Sequence, residues 1–230
     1  MDQSRYYHNL PFDLNVMLRV ITSTNSAFAQ IKENEERYLT QSVGLLIASS
    51  ILGALVILPF VMIPLDEAYF EGADDLSLPI DNADVVLAAF AGILKGIVSF
   101  AVIYFVGKKL DGNKNWKKVL AVIFHTYVPA IPVSIILAVL MFLMWTSLAE
   151  IEPSYLISPD ADEKQIFSVI GPMLSYVVIL VVLGIAFLVW IIVISVKAIK
   201  IVNGFGTAKA FGLLVLAMII TSVISIPFSV

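Results

Sequence analysis

The sequence predicts an all-α polytopic membrane protein, a bundle of five transmembrane helices with an N-terminal interfacial amphipathic helix. Three observations predict it. First, the 230 residues are 60% hydrophobic and 14% charged, with a mean hydropathy of +0.95, whereas soluble domains are far less apolar and more charged. Second, the apolar residues fall into five blocks, each near the length needed to cross a hydrocarbon core, about 20 residues. Third, the segments between the blocks alternate between lysine-rich and acidic.

Residues 1–40 form a polar N-terminal segment, and residues 41–230 carry the five spans. Residues 1–13 read as an extended lead-in with one proline. Leu14, Met17, Leu18 and Ile21 then recur at helical spacing. Ser23-Thr24-Asn25-Ser26 supplies a break or a new N-cap. Phe28, Ile31, Tyr38 and Leu39 continue the apolar set, with Lys32, Glu33, Glu35, Glu36 and Arg37 between them. Such a segment is too polar to span. Its apolar face can dip into the membrane interface or cap the bundle. The first forty residues lack the charged, apolar and small-residue regions of a cleavable signal. The first span is therefore expected to act as an uncleaved insertion signal.

The spans are expected at about residues 41–63, 85–106, 119–147, 169–196 and 210–226. The first carries Gly44, Ser49, Ser50 and Gly53, small residues that let helices approach closely. Pro59 and Pro64 lie near its end, where a helix bends or stops. The second contains Gly92, Lys95 and Gly96. The third opens on His125-Thr126-Tyr127-Val128-Pro129-Ala130-Ile131-Pro132, where two missing backbone donors predict a kink. The fourth is free of charge from Tyr176 to Val196. Asp111-Gly112-Asn113 and Asn203-Gly204-Phe205-Gly206 are turn signals between spans.

Twelve of the fourteen basic residues lie in residues 1–40, 107–118 and 197–209. Residues 65–84 hold seven carboxylates and no Lys or Arg. Residues 148–168 hold five carboxylates, with Asp160-Ala161-Asp162-Glu163 the densest cluster, against Lys164. The positive-inside rule then places the N-terminus and the lysine-rich loops in the cytoplasm. The acidic loops and the C-terminus face outside or into a lumen. The net charge of −4 gives no reason to expect nucleic acid as a partner. The absence of cysteine excludes disulfides and thiolate metal sites.

Lys95 is the one charge near the middle of a span, where it costs roughly 2.5–3.5 kcal/mol on insertion scales. It is expected to face the bundle or a wet cavity, and a ligand or anionic-lipid contact competes with a merely tolerated lysine. His125 has no carboxylate or second histidine near it in sequence, so a hydrogen bond to a neighbouring helix, shared with Thr126 and Tyr127, is the expectation. Pro129 either lines a site in a broken helix or is a packing device. Lys108, Lys109, Lys114, Lys117 and Lys118 are candidate contacts for anionic headgroups, about 1 kcal/mol each near the surface. No EF-hand loop, G-x-S-x-G, H-E-x-x-H or Walker sequence occurs. The reading is a non-enzyme without cofactor or metal.

Three stretches together resemble the Yip-domain family of five-span, Ypt/Rab-interacting membrane proteins. His125-Thr126-Tyr127-Val128-Pro129 is similar to the family's aromatic-plus-proline motif in the third span, with its glycine replaced. Asn203-Gly204-Phe205-Gly206-Thr207-Ala208-Lys209-Ala210 is similar to the small-residue turn before the fifth span. Phe28-Ala29-Gln30-Ile31-Lys32-Glu33-Asn34 is similar to the stretch before the first. The cytosolic Asp-Leu-Tyr-Gly-Pro-type motif of eukaryotic members is absent. The chain therefore looks most like the prokaryotic or archaeal type, and Rab binding is not carried over. The resemblance implies a membrane scaffold or adaptor that organises lipid, other membrane proteins or a second copy of itself. Two other readings stay open. One is a transporter or channel with a pathway near Lys95 and the Pro129 kink. The other is an accessory subunit of a larger membrane complex.

Overall fold

The computed structural model describes residues 12–62, 82–149 and 163–225. The two acidic loops therefore lie largely outside the described residues, as do His8 and the last five residues. Among the described residues the chain is helical and without strands. Two short helices come first, α1 (Leu14–Thr22) and α2 (Thr24–Glu33). α3 (Glu35–Ala54) follows, then a 3₁₀ turn, Leu55–Ile57, and α4 (Leu58–Met62). α5 is Asn82–Lys109 and α6 is Trp116–Phe124. A second 3₁₀ turn, His125–Tyr127, joins α6 to α7 (Ala130–Ala149). α8 (Glu163–Asn203) and α9 (Thr207–Ser225) complete the chain. Five stretches are long and apolar enough to cross a membrane: Glu35–Ile57, Asn82–Lys109, Trp116–Ser147, Leu174–Asn203 and Thr207–Ile224.

The spans pack in a ring. α3 lies against α5, α5 against α9, α9 against α8, and α8 against α6 and α7, which return to α3. Close approach between α3 and α5 depends on glycine. A Cβ added at Gly92 would sit 3.0 Å from Ser50 Cβ, and one at Gly96 only 2.2 Å from Leu46 Cδ1. Ser50 and Gly92, small residues of the first two spans, thus meet across this interface, whereas Gly44 meets Phe12 and Gly53 faces open space.

The two N-terminal helices dock on the bundle. Ser23 and Asn34 break the chain between α1, α2 and α3. Asp13 caps α1, its carboxylate accepting from the Val16 N–H at 3.2 Å. Val16, Val20, Ala27, Phe28 and Ile31 are buried in the same core as Val119, Val122 and Ile199. The apolar face of α1–α2 is thus spent mostly on protein. Leu14 and Leu18 remain exposed on the other side of α1, and Phe12, just before it, is partly exposed with its ring beside Gly44 of α3.

The expected kink in the third span is a break. Pro129 is buried between the 3₁₀ turn and α7, and Pro132 is exposed in the first turn of α7, where a helix leaves its N–H groups unpaired in any case. Thr126 Oγ1 donates to the Ile123 carbonyl at 2.6 Å.

Candidate functional site

The three basic segments meet at one end of the bundle. Lys32 Nζ, on α2, donates to the Ile201 carbonyl of α8 at 2.8 Å. The Asn113 N–H, between α5 and α6, donates to Asn203 Oδ1 at 3.0 Å, and Asn113 Nδ2 to the Val202 carbonyl at 3.1 Å. The two turns that meet here are alike. α5 ends with Asp111 at φ 62°, and the Gly112 N–H reaches back to the Gly107 carbonyl at 2.8 Å. α8 ends with Gly204 at φ +71°, and the Phe205 N–H reaches back to the Lys200 carbonyl at 3.1 Å. Both are Schellman ends, in which a left-handed residue lets the chain satisfy its last carbonyls. A Cβ at Gly112 would lie 2.6 Å from Asn203 Oδ1 and 2.7 Å from the Gly107 oxygen, so the junction requires glycine there.

Beneath this junction sits His125, fully buried. Its Nδ1 is 2.7 Å from the Ala121 carbonyl oxygen. A carbonyl only accepts, so Nδ1 carries the proton and donates. Ser42 Oγ lies 3.0 Å from the same nitrogen and donates to the Tyr38 carbonyl at 2.6 Å. The Tyr38 ring meets the imidazole edge-on with centroids 5.8 Å apart. Tyr38 Oη in turn donates to Asp13 Oδ2 at 3.2 Å and accepts from Gln30 Nε2 at 2.9 Å. Asp13 also receives Arg37 at 3.2 Å, and its N–H donates to Gln41 Oε1 at 3.1 Å. A polar chain thus runs from the third-span break through α3 to both N-terminal helices. His125 Nε2 and Gln41 Nε2 are buried and have no partner among the described residues.

The predicted site residues do not form one site. His125 donates to its own helix and meets α3 through Ser42, while Thr126 turns to Ile123. The Tyr127 ring packs on Phe124, with centroids 6.3 Å apart, and its hydroxyl lies beside Gly96. Pro129 is buried in packing. Lys95 is exposed on α5, one residue from Gly96, which packs on Leu46 of α3. The five lysines of residues 107–118 divide. Lys117 and Lys118 lie 3.5 and 3.9 Å from Glu36 and Glu35. Lys108, Lys109 and Lys114 are exposed without a carboxylate partner among the described residues.

Sequence reasoning passed over Asp13, Gln41 and Ser42, and read Asn113 and Asn203 only as turn residues. Tyr38, Gln41, Ser42 and Leu45 recur at helical spacing and are all buried, and that half-polar stripe was the available signal. Asn203 before Gly204 was a helix-end signal. Comparison with curated proteins and with solved structures finds no match. The family comparison does. Residues 18–226 match the Yip1 domain model, nearly the whole length over which the third-span break, the turn at Asn203 and the Phe28 helix are assembled, and the chain belongs to the Yip1 domain family.

Proposed function

We propose that this protein is a non-enzymatic membrane scaffold whose lysine-bearing end lies in the cytoplasm and gathers anionic lipid and partner proteins. The observation that supports it most is the division of the lysines. Lys108, Lys109 and Lys114 are exposed and have no carboxylate partner among the described residues, beside the hydrogen-bonded junction of Asn113 and Asn203. Lys117 and Lys118 lie beside Glu36 and Glu35. Three exposed lysines near a bilayer surface attract anionic headgroups by about 3 kcal/mol together. Leu14 and Leu18, one turn apart on the exposed side of α1, suit the interfacial layer of the same leaflet. Partners would then meet a surface built from α1, α2 and the 110–115 turn. The placement of Lys95 and Pro129 lends nothing to a transport pathway.

The test uses proteoliposomes of phosphatidylcholine with a minority of phosphatidylglycerol. A donor fluorophore on Asp111→Cys reports energy transfer to acceptor-labelled phosphatidylglycerol, compared with acceptor-labelled phosphatidylcholine. Replacing Lys108, Lys109 and Lys114 together by Gln is expected to bring the two transfers close to equality. Replacing Lys117 and Lys118 is expected to change the ratio much less. An unchanged ratio in the triple variant removes the loop's assigned role.

A further inference from the structure

We propose that the face of α8 from Leu183 to Lys197 holds one anionic phospholipid, with an acyl chain between α7 and α8 and the phosphate at Lys197. Two cavities support this, and they share a wall at Trp190. The first is an apolar groove of about 490 Å³ lined by Val133 and Leu137 of α7 and by Leu183, Ala186, Phe187 and Trp190 of α8. The second is a polar pocket of about 480 Å³ lined by Ser23, Thr24, Asn25 and Ser26 together with Trp190 and Lys197. Trp190 belongs to both. Leu183, Ala186, Phe187, Trp190, Ile194 and Lys197 recur every three or four residues, so they form one stripe along α8. At 1.5 Å per residue that stripe is about 21 Å long.

The chemistry changes along the stripe as it does along a phospholipid. Below Trp190 the lining is aliphatic and aromatic, inside a span that is long and apolar enough to cross a bilayer. Trp190 marks the transition, and tryptophan favours the headgroup level. Above it the lining adds hydroxyls, an amide and an ammonium to Ile21, Val193 and Ile194, with no carboxylate. Lys197 is half-buried and has no hydrogen-bond or ion-pair partner among the described residues. A half-buried lysine without a counter-ion favours an anion beside it. A second cation stands at the rim. Arg19 Nη2 donates to Ser26 Oγ at 3.1 Å and Nη1 to Gln30 Oε1 at 2.7 Å, both neutral partners. Charge on the polar side and apolar surface in register below it together select an anionic phospholipid over a soluble anion. The site lies apart from Lys108, Lys109 and Lys114, and holds whether or not that loop gathers lipid.

The experiment is native mass spectrometry of the full chain after exchange into detergent with equal phosphatidylglycerol and phosphatidylcholine. The wild type is expected to retain one phosphatidylglycerol about fivefold in preference, the effect of one lysine near a headgroup. Lys197→Gln is expected to bring that preference close to one. Ala186→Phe, which fills the groove, is expected to lose both lipids. The variant with Gln at Lys108, Lys109 and Lys114 is expected to keep the preference. A Lys197→Gln protein with the wild-type preference, or an Ala186→Phe protein that still retains lipid, overturns the site. Loss of preference in the loop variant alone also overturns it and leaves the lysine loop as the lipid contact. A second measurement needs no change in the stripe. With Trp116 and Trp145 replaced by Phe, brominated-chain phosphatidylglycerol is expected to quench Trp190 severalfold more strongly than brominated-chain phosphatidylcholine. Equal quenching by the two lipids overturns the proposal.

Discussion

His125 shows what a buried polar residue does in this bundle. Its ring fills space under α3 and donates to a carbonyl one turn back on its own helix, while Ser42 keeps an independent partner in the Tyr38 carbonyl. Removing the ring leaves a cavity, whereas removing only the N–H takes one donor from the Ala121 oxygen. His125→Ala is therefore expected to destabilise by about 3 kcal/mol, a cavity-scale loss. His125→Leu keeps most of the volume and is expected to cost about 1 kcal/mol, near one hydrogen bond. Detergent thermal melts of both variants check this, and equal losses would sink the packing account. From the sequence, His125 was legible as a hydrogen-bonding residue, but the expected acceptor lay on a neighbouring helix and the structure gives one on its own. Its neighbour Ser42 was not, because 83 residues separate them and nothing in either stretch records which spans touch. For Lys95 the cost of a charge within a span was legible, while its exposure on α5 was not.

At the scale of elements, the glycines of α5 decide how closely α3 comes. Leu46 is buried, so it has little room to retreat from a methyl group at Gly96. Gly96→Ala is expected to cost about 2 kcal/mol by overpacking. Shortening the opposing side chain should return part of that. In a double-mutant cycle with Leu46→Ala, a favourable coupling of about 1 kcal/mol is expected, within the range for residues in contact. Additive losses in chemical denaturation would show that the two helices do not meet at this point. The turns between spans were more legible than the interfaces. Asp111-Gly112-Asn113 and Asn203-Gly204 carry local backbone requirements, which sequence records directly. That the two turns grip each other through Asn113 and Asn203 is a tertiary fact, and each asparagine alone reads as an ordinary turn residue.

Across the whole molecule the packing is lopsided. At the lysine-bearing end α8 buries Ile194, Val196, Ala198, Ile199 and Val202. Toward its other end Val178, Val182, Ile185 and Val189 are exposed, and exposure there extends to most of the helix circumference. The number of spans was legible because length and hydropathy fix it. This asymmetry was not, because both halves of α8 are about equally apolar, and hydropathy does not distinguish a lipid-facing valine from one packed on protein. The N-terminal helices explain part of it, since α2 packs on α8 and α6 and adds protein only at the lysine-bearing end. The chain has no cysteine, so single cysteines carry spin labels without background. Oxygen accessibility in bilayers is expected to be high at 178, 182, 185 and 189 and low at 194, 198 and 202. Protection at 178, 182, 185 and 189 would mean that a second copy or another protein covers that face of α8. The same measurement with residues 14–33 deleted separates a structural cap from a peripheral arm. Loss of protection at 194 and 198 is expected, because Phe28 and Ile31 share their core, and retained protection would make α1 and α2 dispensable to the fold.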